Sequence, residues 1–120
     1  MRPVELSLRY CRARGQVAGV VERFIHQRKI RIDLFGFADI MAFDSWTTDA
    51  VQTCTLSGWG DHVTKLESTP YASQWVSREQ NRRTLLLGWR KKGRFWVVRV
   101  GLLVNSKVVV TLDEDRPGAP

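Results

Sequence analysis

Apolar and polar positions change their spacing along this chain, and the changes mark the predicted elements. Apolar residues recur at helical spacing over positions 4–11 and Gly15 follows, which predicts a short opening helix with a basic outer face. The valine-rich stretch QVAGVVERF predicts a strand that ends near Glu22 or Arg23. The segment HQRKIRI after it is interpreted as a basic loop or a sheet edge.

The rest of the chain predicts two hairpins with helices between them. FADIMAF and DAVQTC predict two apolar strands around the turn-prone DSWTTD. Asp61 is expected to cap a helix through Leu66, and Pro70 to end that helix and open another through Trp75. RTLLLGW and RFWVVRVGLL predict a second hairpin with a basic tip, and NSKVVVTL predicts a final edge strand.

Length and composition fit one domain with one core. The chain has 120 residues, of which 43% are hydrophobic and 26% are charged, as in ordinary globular proteins. The predicted fold class is α/β: a single domain, residues 1–112, with a central mixed β-sheet flanked by helices. The polar end DEDRPGAP, residues 113–120, is expected to be a disordered tail.

The sequence also predicts a cytoplasmic protein without a membrane partner. Its apolar runs are too short to cross a bilayer, and charges are scattered through the first 15 positions, unlike a secretory signal. Cys11 and Cys54 lie far apart, without the spacing of a zinc site or the density of a disulfide scaffold, and are interpreted as reduced apolar residues.

Charge is distributed unevenly along the chain. The formal net charge is +7, yet residues 33–67 carry six acids and a single basic residue, Lys65. Basic flanks around an acidic centre suit a polyanion binder that also holds a divalent cation, because the flanks attract phosphates and the carboxylates bind the metal. The alternative is that the two faces are solvated and pair with each other.

Two polar residues of the first predicted hairpin are expected to meet. Asp39 opens one strand and Gln52 lies in the other, and cross-strand neighbours lie about 5 Å apart. One metal ion fits that gap. His62 and Lys65 are three positions apart, so they share a helix face, and Lys65 can reach the site.

The acidic residues also have purely structural explanations. Asp39 could pair with Arg31, and Glu22 could pair with a neighbouring basic residue, Arg23 or Lys29. Asp33 could cap the turn that follows it.

The predicted order of helix, strand, strand, strand, helix and strand, with a carboxylate opening the second strand, resembles a known family. It is similar to the PD-(D/E)XK nuclease superfamily, with its restriction-endonuclease-like fold, and in particular to small Holliday-junction-resolvase-like members. The resemblance covers residues 4 to about 99 and rests on the opening helix with Gly15, Glu22 at a strand end, DLFGFADIMAF, AVQTC, HVTK and LLLGWRKKGRFW. It implies a metal-dependent DNA endonuclease that acts on the DNA backbone or on branched DNA.

The resemblance assigns roles to particular residues. In that family an Asp opening the second strand and a Glu on the third hold Mg²⁺, and a Lys two residues after the Glu orients or activates the attacking water. Asp39 matches the Asp, whereas Gln52 stands in place of the Glu and Cys54 in place of the Lys. Lys65 on the following helix is therefore expected to supply the ammonium group.

These expectations define the candidate site. The expected catalytic residues are Asp39, Gln52, Lys65 and Glu22, and the expected metal ligands are Asp39, Gln52 and Asp33, with Mg²⁺ or Mn²⁺ as the cofactor. The expected nucleic-acid-binding residues are Arg28, Lys29, Arg31, Trp59, His62, Arg90, Lys91, Lys92 and Arg94. DNA is the expected partner, and the resemblance makes a homodimer plausible.

Two other functions stay open at this point. One is a non-catalytic nucleic-acid-binding module that retains the nuclease fold, which the replacements at Gln52 and Cys54 favour. The other is an assembly protein whose basic surface binds an acidic protein partner. Cleavage of DNA separates the first from the leading prediction, and salt-sensitive DNA binding argues against the second.

Overall fold

Eight strands and three helices follow one another in the computed structural model, which describes residues 1–115. The helices are α1 (Pro3–Ala13), α2 (Trp59–Ser68) and α3 (Pro70–Trp75). The strands are β1 (Val17–Val20), β2 (Arg23–Ile25), β3 (Ile30–Ile32), β4 (Ile40–Phe43), β5 (Thr48–Thr55), β6 (Arg82–Lys92), β7 (Phe95–Val104) and β8 (Lys107–Asp115). A short 3-10 turn, Leu56–Gly58, leads into α2.

A six-stranded mixed sheet forms the centre of the molecule. Its strands lie in the order β1, β4, β5, β6, β7, β8, and only β5 and β6 are parallel to each other. Parallel neighbours need a crossover connection, and α2 and α3 provide it. The predicted α/β fold with a mixed sheet is confirmed.

Helices cover both faces of the sheet because successive residues of a central strand point to opposite sides. On one face α1 packs against β6, in a core that includes Leu6 and Leu87. On the other face α2 and α3 pack over β6, in a core that includes Leu66, Ala72 and Leu86. The face under α2 and α3 also carries the candidate site and is called the α2 face below.

The first predicted hairpin is formed by β4 and β5. Its turn covers residues 44–47, where a carboxylate oxygen of Asp44 accepts the backbone N–H groups of Trp46 at 2.7 Å and Thr47 at 2.8 Å. These bonds satisfy the polar turn backbone. The Trp46 side chain projects into solvent from this turn.

A separate small hairpin interrupts the chain between β1 and β4. It consists of β2 and β3, which pair only with each other, and the Arg31 guanidinium lies 5.5 Å from the centre of the Phe24 ring across it. The turn and β3 lie in HQRKIRI, the segment interpreted from sequence as a basic loop or edge, whereas β1 ends at Val20, before its predicted end near Glu22 or Arg23. The excursion leaves the sheet after Glu22 and returns at Asp33, so it brings both acids back to the start of β4.

The predicted N-cap at Asp61 is wrong. The helix α2 begins at Trp59, and its N-cap residue is Gly58, which makes no side-chain capping bond. The chain is already turning in the 3-10 segment before Trp59, so Asp61 falls inside the first helical turn. An acid there still interacts favourably with the helix dipole.

The last strand extends further than predicted. β8 continues to Asp115, and ion pairs of 2.7 Å join its Asp113 to Arg99 on the neighbouring β7 and its Glu114 to Arg90 on β6, one strand further. The expected tail at 113–120 is therefore ordered over its first three residues, 113–115. Residues 116–120 lie outside the described part of the chain.

Candidate metal centre

The backbone of Asp39 is held between two strands. Its N–H donates to the carbonyl of Val51 at 2.9 Å, and its carbonyl accepts the N–H groups of Val21 at 2.9 Å and Glu22 at 3.3 Å. These bonds extend the sheet pairing one residue beyond β4. The position of Asp39 is thus fixed by the fold rather than by a flexible loop.

The Asp39 side chain is buried and receives two hydrogen bonds from β5. One carboxylate oxygen, Oδ2, accepts the backbone N–H of Thr53 at 2.9 Å and the side-chain amide N–H of Gln52. The predicted meeting of Asp39 and Gln52 is confirmed. Thr53 was not singled out from sequence, because a backbone donor leaves no signal in the side-chain pattern.

Three carboxylates converge at the start of β4. Glu22, Asp33 and Asp39 each offer an oxygen atom, and these three atoms lie within 4.8 Å of one another. We call these residues the acidic cluster. The turn-capping explanation for Asp33 does not describe its carboxylate, which bonds to Lys65 and faces the cluster.

Cations surround the cluster, but none within residues 1–115 pairs with Asp39 itself. Glu22 pairs with Arg31 at 3.2 Å and with Arg2 at 3.6 Å, and Lys65 donates to Asp33. Arg31 therefore neutralises Glu22, not Asp39 as the ion-pair alternative supposed. Asp39 is the most buried of the three acids, and its Oδ2 atom is held by the two amide donors from β5.

The pKa values of Asp33 and Asp39 are shifted in opposite directions. Burial, followed by a hydrogen bond with Asp33 and the nearby negative charges, raises the pKa of Asp39 to about 8. Burial acts in the same direction on Asp33, but its hydrogen bonds with Asp39 and Lys65 outweigh it and lower the pKa of Asp33. Burial and the neighbouring acids thus disfavour the negative charge on Asp39, whereas the charge on Asp33 is stabilised.

Gln52 carries an unusual buried atom. In the part of the chain that the structure describes, only its carbonyl oxygen Oε1 and the Nδ1 atom of His62 are buried side-chain polar atoms without a hydrogen-bond partner. Leaving a buried polar group unsatisfied costs about 1–3 kcal/mol. Rotation of the amide, whose N–H now donates to Asp39, would turn this oxygen towards a cation held by the acidic cluster and give it a partner.

The burial of Cys54 explains why no lysine stands at its position. Cys54 is 5% exposed and belongs to the core on the α2 face, together with Leu66. An ammonium there would lose its hydration, which is costly for a charged group. Lys65 approaches the cluster from α2 instead, with a side chain that is 38% exposed.

His62 lies on α2 near Lys65 and is half-buried. Burial, followed by the positive charge of Lys65, lowers the pKa of His62, so the ring is neutral at pH 7. A neutral ring cannot attract phosphate by charge. The role of His62 in nucleic-acid binding stays a prediction. A neutral ring would contact the nucleic acid through hydrogen bonds and not through charge.

The predicted nucleic-acid-binding residues occupy two hairpin tips and one helix start. Arg28 and Lys29 lie exposed in the turn between β2 and β3, and Lys91, Lys92 and Arg94 lie exposed at the turn between β6 and β7. Arg31 and Arg90 instead pair with Glu22 and Glu114. Their charge is already partly balanced.

The β6–β7 tip projects from the same end of the sheet as the cluster. Gln52 lies level with Leu86 in the parallel pair of β5 and β6, and Lys92 is six residues further along β6. At about 3.3 Å per residue the separation is roughly 20 Å, close to six nucleotide steps of a DNA strand. Even-numbered residues of β6 share the α2 face, so Lys92 lies on the same side as the cluster.

Trp59 is explained by packing. An added Cβ at Gly88 or Gly101 would come within 2.7 Å or 3.0 Å of its indole ring, so both glycines make room for it. The Arg99 guanidinium lies 5.2 Å from the ring centre. Stacking of a nucleobase on Trp59 stays a prediction.

The arrangement combines the groups that a hard cation and a phosphate require. Carboxylate and amide oxygens are the ligands that Mg²⁺ and Mn²⁺ prefer, and a lysine ammonium is a common phosphate partner. The acidic cluster, Gln52 Oε1 and Lys65 offer both within one site.

Comparison with protein-family models, curated proteins and solved structures finds no match for this chain. Within residues 1–115, no helix is long and apolar enough to cross a membrane.

Proposed function

We propose that this protein is a metal-dependent DNA endonuclease with a restriction-endonuclease-like fold, which hydrolyses phosphodiester bonds. The observation that carries the proposal is the acidic cluster beside the unpartnered carbonyl of Gln52. In the free protein the carboxylates of the cluster repel one another, and the buried carbonyl oxygen lacks a hydrogen-bond partner. A divalent cation would reduce both unfavourable terms. Such an arrangement is typical of functional sites.

The order of elements supports the same proposal. With the β2–β3 hairpin set aside, the chain runs α1, β1, β4, β5, α2 and α3, β6, which is the order that suggested the nuclease superfamily. Asp39 directly precedes the second of these strands and Gln52 lies in the third. The agreement concerns order and position, and Gln52 and Cys54 still depart from the family pattern.

The residues divide the chemistry between them. Asp39, Asp33 and Gln52 would hold Mg²⁺, with Glu22 beside them, and the ion would offset charge on the phosphate and acidify a bound water. A bound divalent cation would favour the negative charge on Asp39 that burial and the neighbouring acids disfavour. Lys65 would position the attacking water or the phosphate, since its ammonium already lies at Asp33.

A cleavage assay tests the proposal. Plasmid, linear duplex and four-way-junction DNA are incubated with the protein and Mg²⁺, Mn²⁺ or EDTA. We expect cleavage with either metal, none with EDTA, and none by Asp39→Asn. The matched control is Asp44→Asn, because Asp44 lies at the other end of β4 and only supports a turn. Cleavage by Asp39→Asn at the wild-type rate would remove Asp39 from the mechanism.

A second function is favoured by one observation. The third strand supplies a neutral amide where the family has a carboxylate, and a buried thiol where it has a lysine. A non-catalytic nucleic-acid-binding module that keeps the fold would need neither group. Salt-sensitive DNA binding without cleavage in any metal would support this function and refute the first.

A further inference from the structure

Two exposed aromatic rings lie close to each other, and one of them follows Asp33 of the acidic cluster by two residues. Phe35 is 64% exposed and Tyr71 is 58% exposed, and their ring centres are 6.5 Å apart at a tilt of 58°. Phe35 sits in the turn that follows Asp33, and Tyr71 lies in the first turn of α3. Neither ring is placed there by burial in a core.

The backbone at Phe35 adds a cost to this exposure. Its φ angle is +54°, in the left-handed region that residues with a side chain rarely adopt, and Gly36 follows at +79°. A left-handed conformation costs roughly 1–2 kcal/mol for a residue other than glycine. Phe37, two positions on, is buried and holds the turn against the core. Folding therefore does not explain an aromatic residue at position 35.

Both rings line an open cavity of about 400 Å³. Phe35, Phe37, Tyr71, Gln74, Trp75 and Arg82 line it. The Arg82 guanidinium lies 4.9 Å from the centre of the Trp75 ring, so the cavity joins flat apolar walls to a positive charge. A nucleotide has the complementary parts, a flat base and an anionic phosphate.

The distance to the acidic cluster suits a single DNA strand. Phe35 is two residues from Asp33, so their Cα atoms lie at most about 7 Å apart. This is on the order of one or two steps along a nucleic-acid strand, whose axial rise in a duplex is about 3.4 Å per nucleotide. A strand whose phosphate lies at the cluster could therefore place a base one or two positions away on the rings.

We propose that Phe35 and Tyr71 form a stacking platform for an unpaired nucleobase next to the acidic cluster. The platform selects DNA with single-stranded or branched character over intact duplex, because bases in a duplex are already stacked on each other. This inference rests on the proposed function, since it takes DNA as the ligand. It names the feature of DNA that the site recognises.

Three variants test the platform. Phe35→Gly suits the left-handed backbone and removes the ring, and Tyr71→Ala removes the other ring. Trp46→Ala is the matched control, because Trp46 is 79% exposed but lies in the β4–β5 turn, at the far end of β4 from Asp39. Binding is measured in EDTA with a forked DNA and a duplex of equal length. The fork carries the fluorescent base 2-aminopurine in its unpaired arm.

We expect the wild type and Trp46→Ala to bind the fork more tightly than the duplex and to quench 2-aminopurine. Each platform variant should lose about tenfold in affinity for the fork, lose the quenching, and keep its affinity for the duplex. Phe35→Gly should also unfold at the wild-type temperature or above it, which separates lost binding from lost folding.

The failures of the two proposals differ. One result would overturn the platform alone. In it the wild type cuts DNA, while Phe35→Gly and Tyr71→Ala still bind the fork more tightly than the duplex and still quench 2-aminopurine. If the two variants lost equal affinity for the fork and for the duplex, the platform would also be overturned, because the exposed rings would then bind DNA without regard to its structure. Wild type that binds neither DNA would refute both the platform and the proposed function.

Discussion

The side-chain amide of Gln52 donates to the carboxylate of Asp39, while the other end of the same amide, Oε1, is buried without a partner. A neutral amide can serve both states of the site. Its N–H supports Asp39 in the free protein, and rotation of the amide would offer its oxygen to a cation. A glutamate in its place could not donate, and would add a fourth carboxyl group beside the acidic cluster.

The first prediction concerns Gln52→Glu. The added charge should destabilise the metal-free protein and tighten Mg²⁺ binding, because a charged oxygen ligand replaces a neutral one. Melting temperatures in EDTA and in a Mg²⁺ titration measure both effects, and the gain on adding Mg²⁺ should exceed that of the wild type. Gln80→Glu, on an exposed turn, is the control. An unchanged Mg²⁺ midpoint in Gln52→Glu would separate Gln52 from the metal.

The second prediction concerns Lys65→Met, which removes the ammonium and keeps most of the side-chain length. Cleavage should fall about 100-fold or more, as when one preorganised electrostatic group is lost from a site. Mg²⁺ binding should not weaken, because Asp33 loses a competing cation. Lys107→Met is the control, since Lys107 is highly exposed and pairs only loosely with Glu67, at 3.9 Å. Wild-type cleavage rates in Lys65→Met would make Lys65 an ordinary helix-surface residue.

The third prediction concerns the β6–β7 tip. If Lys92 contacts a phosphate, Lys92→Ala should lower the slope of log K against log salt by about 0.9. Arg90→Ala should have a smaller effect, because Arg90 already pairs with Glu114. Lys107→Ala, at the opposite end of the sheet, is the control for a general change in charge. Equal slopes for wild type and Lys92→Ala would leave the tip with a role in solubility only.

Much of the sheet could be predicted because its strands have strong apolar patterns and clear turns between them. The meeting of Asp39 and Gln52 follows from the β4–β5 hairpin, whose register pairs Ile40 with Val51. The β2–β3 hairpin could not be predicted, because its strands have three residues each and carry charges on exposed faces. The convergence of Glu22 and Asp33 depends on that hairpin, so the complete acidic cluster appears only in three dimensions.

The fourth prediction concerns the two cysteines. Burial, followed by the charge of Asp49, raises the pKa of Cys11 to about 11, and burial, followed by the charge of Asp39, raises that of Cys54 to about 12. A raised pKa favours the unreactive thiol, so at pH 8 both should react with a disulfide reagent far more slowly in native protein than in denaturant. The native rate should still rise with pH above 9, where a free cysteine levels off. Rapid reaction of one native thiol at pH 8 would contradict the burial of that cysteine.

The last prediction concerns the ion pair that joins β5 to β6. Asp49 is fully buried, and Arg83 holds it with two bonds of 2.7 Å, while the Gln16 amide adds a third at 2.8 Å. These strands are the only parallel neighbours of the described sheet, and Asp49 lies directly opposite Arg83 in their register. A slip by one residue would move the arginine to the other face and leave a buried carboxylate alone. The pair therefore favours one register.

Arg83→Met should accordingly destabilise the protein by about 3 kcal/mol, because it leaves the buried carboxylate of Asp49 without its cation and with the Gln16 amide as its remaining side-chain partner in the described residues. Urea unfolding measures the loss, and Arg78→Met, which removes an exposed arginine, should change little. The double variant Arg83→Met, Asp49→Leu should recover much of the stability, since it removes the uncompensated charge as well. Asp49→Leu is measured alone as well. If the double variant lost as much stability as the two single variants lose together, the two residues would not stabilise each other.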